Sequence, residues 1–445
     1  METLEQWVDR QYQRSAIGMQ KSISPLKVIK ARPGFAQTIV PKRGSVVASP
    51  VPASYDPDPD YLFHWYRDSA VTVDALRLLA QDGSVGESAL EQFADFVRFS
   101  LSLEGLNGRI LVQEPAWRGR VAPDFVKFLR DDADLDAAHG DRIAAETRVN
   151  ADGSLDISSW PRPQNDGPPM RALSLMRWSR HVDFKPDVDA AMSALLRADL
   201  TFARRHWNGP CFDIWEEEKG RHYYALRLSA AALEEGEAWL TRRGFAEEAR
   251  ACRDAAQAIL PVLDSFWLPG DGYYRSRILE SGVRSTKELD ISVILAAIHA
   301  DGKGGSECGA DPRMLATLSR LEALFDSEYA INQGRTRGRG PAMGRYLGDV
   351  YYSGGAYYFS TLGAAEFCFR AALHGDDAAS FIERGDAYLE TVRTFTPDHG
   401  ELSEQFDKTT GVQTSAKQLA WSYAAFISCV VARRSALQRH PRRAP

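Results

Sequence analysis

Apolar residues recur at intervals of three and four along most of this chain, and that spacing limits the fold more than any other feature. Cys252, Ala255, Ala256, Ile259, Leu263 and Phe266 form one such stripe. Met314, Leu315, Leu318, Leu321, Leu324 and Phe325 form another, and Ala416, Leu419, Ala420, Tyr423, Phe426, Ile427 and Val430 a third. Each stripe covers one face of a 3.6-residue period. The same reasoning predicts helices near 68–80, 88–102, 169–181, 186–206, 221–242, 288–300, 355–373 and 376–394, with a twelfth near the N-terminus. Extended-looking pieces are few (27–31, 37–41 and 109–113) and too scattered for a central sheet.

The connections are of two kinds that alternate. Short polar turns such as "HGDDA" and "TRRG" follow some helices. Long segments rich in Gly, Pro and aromatics follow the others: 45–66, 104–168, 208–218, 269–287, 330–354 and 396–414. Paired helices with tight turns at one end and working loops at the other produce this alternation. The expected architecture is all-α, an α/α toroid. A plain α-solenoid is the competing fold, but no sequence repeat of fixed period supports it.

With 445 residues, 44% hydrophobic and 26% charged, the chain has room for one large domain. A net charge of −6 lacks the basic stripe that nucleic acid requires. Cys211, Cys252, Cys308, Cys368 and Cys429 are odd in number and widely spaced, which suggests buried thiols rather than disulfides or a zinc site. The charged start "METLEQWVDRQYQR" does not resemble a secretory leader, and no apolar run approaches a membrane span. A monomer without cofactor or metal is the expectation, cytoplasmic as the sequence stands, or secreted or periplasmic if a leader has been removed from it.

Many aromatics stand beside charged residues, as in "YLFHWYRDSA", "SSWPRPQNDG", "DIWEEE" and "GRYLGDVYYSGGAYYF". Rings next to fixed polar groups suit a sugar, whose C–H faces stack while its hydroxyls need directional partners. "CFDIWEEEKG" sets three glutamates behind large apolar residues that a solvated helix face does not want. Alone, such a cluster more often complements a helix dipole. A second acid, Glu404, lies in the polar loop "HGELSEQFDKTTG". Two carboxylates converging at one toroid mouth are the minimum equipment for hydrolysing a glycosidic bond.

Five ordered segments carry a resemblance. "PDYLFHWYRDSA" (59–70), "WPRPQNDGPPMRA" (160–172), "FDIWEEEKG" (212–220), "GRYLGDVYYSGGAYYFSTLGAAE" (344–366) and "LSEQFDKTTGVQTSAKQLAWSYAA" (402–425) resemble the catalytic domain of glucoamylases, glycoside hydrolase family 15, of the fungal type. The resemblance implies an (α/α)6 barrel over 35–435, with 1–34 as an extension packed on or beside it and 436–445 as a basic tail. It also implies exo-acting, inverting release of glucose from α-glucans or maltooligosaccharides. Isomaltose, other α-1,6-glucosides or trehalose are the alternative substrates, and a non-catalytic glucan-binding protein is a distant one. By register, Glu216 corresponds to the general acid and Glu404 to the general base. Glu217 corresponds to a leaving-group-side glutamate, and Arg67 and Asp68 to the pair that holds the terminal sugar. Tyr61, Trp65, Trp160, Asp213, Trp215, Arg345, Tyr346 and Trp421 complete the expected binding set.

These roles set physical expectations. Trp215 and Ile214 would wall Glu216 from water, with Glu217 and Asp213 adding negative potential. The base would be ionised and open enough to hold a water. An inverting pair leaves roughly 6.5–9.5 Å between its carboxyl groups for that water. Glu218 is expected at the surface, Asp166 as a helix cap, and Arg162 and Asp349 as either ion-pair or site residues. His64 and His222 lie near the site in sequence without forming a metal cluster. Departures from the fungal pattern are Tyr357 for a tryptophan, Phe406 and Phe63 for tyrosines, and the unmatched segments 108–150 and 334–340. Those two segments are expected to form the outer, leaving-group side of the pocket.

Overall fold

The computed structural model describes residues 2–54, 57–301, 311–336, 338–374 and 377–441. The helices come where the spacing predicts them. Among the described residues they are α1 (Leu4–Gln20), α2 (Tyr66–Gln81), α3 (Ser88–Leu103), α4 (Arg109–Gln113), α5 (Asp132–Ala137), α6 (Gly167–Ser179) and α7 (Pro186–His206). There follow α8 (Tyr223–Arg242), α9 (Ala246–Asp264), α10 (Ser292–Ala300), α11 (Pro312–Glu328), α12 (Tyr358–Ala372), α13 (Ala378–Phe395) and α14 (Ala420–Arg439).

Six of them close a ring. α2 packs on α6, α6 on α8, α8 on α10, α10 on α12, α12 on α14, and α14 returns to α2. α1, α3, α7, α9, α11 and α13 pack outside this ring. The result is an (α/α)6 barrel in which the chain alternates outer and inner helices. Sequence composition explains the sorting. In the inner helix α12 almost every residue is buried, on all its faces, whereas the outer helix α13 keeps a solvated face. Small residues let inner helices approach closely: a Cβ at Gly363 of α12 would lie 2.6 Å from Leu295 Cδ2 of α10.

Each inner helix begins at the same end of the barrel, after a long connection. The turns from inner to outer helices, such as the one from α8 to α9, are short. Six helix N-termini therefore face one mouth and bring partial positive charge to it. Small sheets, five among the described residues, brace the long connections there.

One expectation changes. Residues 109–113 form the short α4 rather than a strand: Asn107 Oδ1 accepts the Arg109 N–H at 3.1 Å and turns the chain into a helix start. The segment 1–34 contains α1, an outer helix of the barrel packed on α14 and α13, with Trp7, Tyr12 and Met19 buried. We propose that the folding unit starts at this helix. At the other end α14 runs through Ala436, which is fully buried, to Arg439, so the proposed unit includes the start of the expected tail. Cys211, Cys252, Cys368 and Cys429 are buried free thiols, and Cys308 lies outside the described residues.

Candidate active site

The acid cluster sits at the tip of a hairpin, not on a helix. Strand Cys211–Phe212 pairs antiparallel with Lys219–His222, which pairs in turn with Arg277–Leu279. Asp213 organises the tip: its carboxylate accepts the Trp215 N–H at 2.7 Å, the Glu218 N–H at 2.8 Å and the Glu217 N–H at 3.4 Å. This pattern is the Asx-type turn that a short acidic side chain favours. Glu216 lies within it at a φ of 66°, a left-handed conformation that a residue with a Cβ adopts at a cost of about 1–3 kcal/mol. The hairpin's hydrogen bonds hold it there.

Asp213, expected among the substrate-binding groups, is not among the residues lining the cavity described below. It is buried beneath the turn and paired with Arg277 at 3.1 Å. Burial alone would raise its pKa, but Arg277 and the loop N–H groups outweigh that and hold it below the usual range. Arg277 also binds Glu218 at 2.9 Å and Asp290. Glu218, expected at the surface, is thus held inward, with Ser285 Oγ donating to it at 2.8 Å. Asp290 in turn accepts the Trp215 indole N–H at 2.8 Å, and burial pushes its pKa up to about 6. Arg277 and Asp290 have no local signal in the sequence.

Glu216 and Glu404 line one cavity, together with Tyr61, Trp65, Arg67, Asp68, Ile214, Trp215, Arg345, Phe359 and Trp421. Both Glu216 oxygens accept indole N–H groups, from Trp65 at 2.8 Å and from Trp160 at 2.5 Å. The wall around this carboxyl is therefore built from Trp65 and Trp160 as well as Ile214 and Trp215. Arg67 Nη2 lies 3.5 Å from Glu216.

Glu217 is paired with cations of its own. It accepts from Arg345 at 3.0 Å, from Lys287 at 2.8 Å and from the Tyr346 hydroxyl. Arg345 is fixed from behind by Asp349 at 2.6 Å, so Asp349 is an ion-pair residue. Arg162 is another, bound to Glu146 at 2.7 Å. Tyr357, in place of the expected tryptophan, donates to Asp349 at 3.2 Å and accepts from Gln405 at 2.8 Å.

The terminal-sugar pair also comes together. Arg67 and Asp68 open α2, 3.2 Å apart, and Arg67 Nη1 donates to Gln164 at 3.0 Å and Asp166 at 3.2 Å. Asp166 was expected to cap α6, but its side chain makes no capping bond and serves as Arg67's buried partner. Burial pushes Asp68 up to about 6 against the pull of Arg67. Among the described residues, Asp68 Oδ2 has no hydrogen-bond donor beyond its 3.2 Å ion-pair contact with Arg67, and the Trp421 indole N–H has no acceptor. Buried polar atoms of this kind are uncommon, and here they belong to residues lining the cavity, where a hydroxylated ligand could satisfy them.

Glu404 departs from the expected open setting. It is buried, it accepts from Ser415 Oγ and, at 3.4 Å, from Tyr61 OH, and Tyr61 OH is 2.8 Å from Tyr351 OH. Burial pushes its pKa up to about 7, while the Ser415 hydrogen bond pulls the other way. His64 and His222 are both buried: His64 Nδ1 accepts the Val46 N–H at 3.0 Å, and His222 Nε2 donates to the Cys211 carbonyl at 2.9 Å. Of the unmatched 334–340 segment, the described residues 334–336 and 338–340 are not among those lining this cavity. Gly340 is bonded to Ala387 at 2.7 Å and Thr391 at 2.5 Å, on the outer helix α13.

Comparison with known proteins agrees with this arrangement. The glycosyl hydrolases family 15 model matches residues 145–383 and 377–431, which include Trp160, Glu216, Glu217, Arg345, Glu404 and Trp421. A probable glucoamylase of Schizosaccharomyces pombe is 28% identical over 437 residues, covering 88% of this chain and 85% of that protein. A Neurospora crassa glucoamylase is 29% identical over 433 residues; it matches 88% of this chain, which spans 63% of that relative's length. Among solved structures, Hormoconis resinae glucoamylase superposes with a TM-score of 0.76 at 25% identity, over 98% of this chain and 74% of that one. Saccharomycopsis fibuligera glucoamylase shares the fold with a TM-score of 0.76 at 21% identity, over 98% and 96%. Among the described residues no helix is long and apolar enough to cross a membrane. The chain belongs to glycosyl hydrolases family 15.

Proposed function

We propose that this protein is an exo-acting α-glucosidase of the glucoamylase type. In this reading it removes glucose from the non-reducing end of α-1,4-linked maltooligosaccharides with inversion at the anomeric carbon. The observation that carries it is the meeting, in one cavity, of two carboxyl groups from distant loops beside a paired arginine and aspartate.

The chemistry follows from the surroundings of each group. Arg67 and Asp68 offer a donor and an acceptor to adjacent hydroxyls of the terminal glucose, which orients the ring against Trp65 and Trp421. Glu216 gives its proton to the glycosidic oxygen as the bond to the anomeric carbon breaks. The carboxylate left behind is the acceptor of two indole N–H bonds, which strengthen as charge develops on it. Glu404 takes a proton from a water, whose oxygen bonds to the opposite face of the anomeric carbon. Glu217, held by Arg345, Lys287 and Tyr346, faces the leaving sugar.

Glu216→Gln and Glu404→Gln test these assignments with maltotriose as substrate. Each is expected to lower kcat by at least ~10²-fold, the scale of a lost general acid or base. Near-normal turnover in either variant would remove that residue from its role.

A further inference from the structure

Arg148 lies outside the cavity lining, yet its surroundings tie it to the general acid. It stands on strand Arg148–Asn150, paired antiparallel with Phe63–Trp65, so that Arg148 is directly opposite Trp65. Its guanidinium carbon lies 3.6 Å from the centroid of the Trp160 ring, 4.0 Å from that of Phe63 and 4.9 Å from that of Trp65. The side chain is almost fully buried, and it is pinned by Asp156 at 2.9 Å and Ser158 at 3.2 Å. The two tryptophans it touches are the two whose indole N–H groups hold the Glu216 oxygens.

We propose that Arg148 is a positioning residue for the general acid, acting through Trp160 and Trp65. A cation on the face of an aromatic ring is attracted by the ring's electron density and draws it away from the edge. The indole N–H at that edge becomes a stronger donor, the more so where little water screens the charge. The same contact fixes the ring planes, so both donors stay aimed at one carboxyl group. The benefit falls on the step in which Glu216 becomes anionic, because charge on the acceptor strengthens both bonds. Asp156 retains a second cationic partner, Arg162 at 3.4 Å, so removing Arg148 does not strand a buried carboxylate.

This inference rests on the proposed hydrolase reading, and the test separates the two. Arg148→Met and Arg148→Lys would be compared with the unaltered enzyme on maltose and on α-glucosyl fluoride. Fluoride is a weak base that leaves without taking a proton, so its release bypasses the general acid. Arg148→Met is expected to lower kcat on maltose by about 10- to 30-fold, with KM within about twofold and kcat on the fluoride within about threefold. Arg148→Lys keeps the charge and should recover most of the loss on maltose. A merely structural role would lower both substrates in parallel, through the fraction of folded enzyme, and that result would overturn the proposal. If Arg148→Met does not fold, the neutral Arg148→Gln decides: a loss confined to maltose supports the proposal, and equal losses or none overturn it. If the unaltered enzyme cleaves neither substrate, the functional reading itself fails.

Discussion

Removing the Ser415 hydroxyl tests how the base is tuned. Burial pushes Glu404 from its ordinary value near 4.5 up to about 7, and the hydrogen bond from Ser415 Oγ is the main influence opposing burial. Ser415→Ala deletes that donor and keeps the Cβ, so the left-handed backbone there, at a φ of 63°, is no more strained than before. A hydrogen bond to an ionised acceptor contributes about 1.5–3 kcal/mol, which corresponds to about one to two pKa units. Tyr61 still donates at 3.4 Å and the Arg345 charge remains, so the lower figure applies. A general base works only when ionised, so activity falls as pH drops through its pKa. The acidic limb of the kcat/KM profile on maltose should therefore move up by about one unit, to about 8. Below the limb the variant loses about tenfold relative to the unaltered enzyme, and on the alkaline side of the displaced limb the two converge. A limb that stays in place, or moves to lower pH, would refute this account of Glu404.

Two further perturbations follow from the same interactions. Glu404→Gln should stabilise the fold while abolishing turnover. A carboxyl whose folded pKa is raised adds stability below about 4.5 and loses it as pH rises through about 7, so the gain from the neutral amide is largest in alkali. Denaturant midpoints should show about 1–3 kcal/mol at pH 8 and little at pH 4; a destabilised variant at pH 8 would contradict the sign. Arg277→Met leaves Asp213 and Asp290 buried without their cation, and should cost about 3–5 kcal/mol in a chemical denaturation curve. A loss below about 1 kcal/mol would mean the hairpin is held by its backbone alone.

Much of this architecture is legible in the residues themselves. Helices announce themselves through local periodicity, and the alternation of short turns with long aromatic loops identifies the working end. Glu216 and Glu404 are legible because tryptophan and polar loop residues next to them are unusual company for surface acids. What escapes is whatever depends on partners far along the chain. Asp166 looks like a helix cap until Arg67 is seen beside it. Arg277 and Arg148 look like ordinary strand arginines, since the carboxylates and rings that give them meaning come from other loops. The exposed look of Glu218 fails for the same reason. A polar sequence context also misled on Glu404: "GELSEQ" suggests an open loop, yet Glu404 is buried, with Ser415 and Tyr61 from other segments donating to its carboxylate.

The central claim is that two carboxyl groups work across one sugar, with water rather than a side chain attacking the anomeric carbon. Proton NMR of the first product from maltotriose, recorded before mutarotation, tests it most directly. The account predicts β-glucose as the initial anomer. Initial α-glucose would contradict it, because retention requires a covalent intermediate that the proposed water-mediated step excludes.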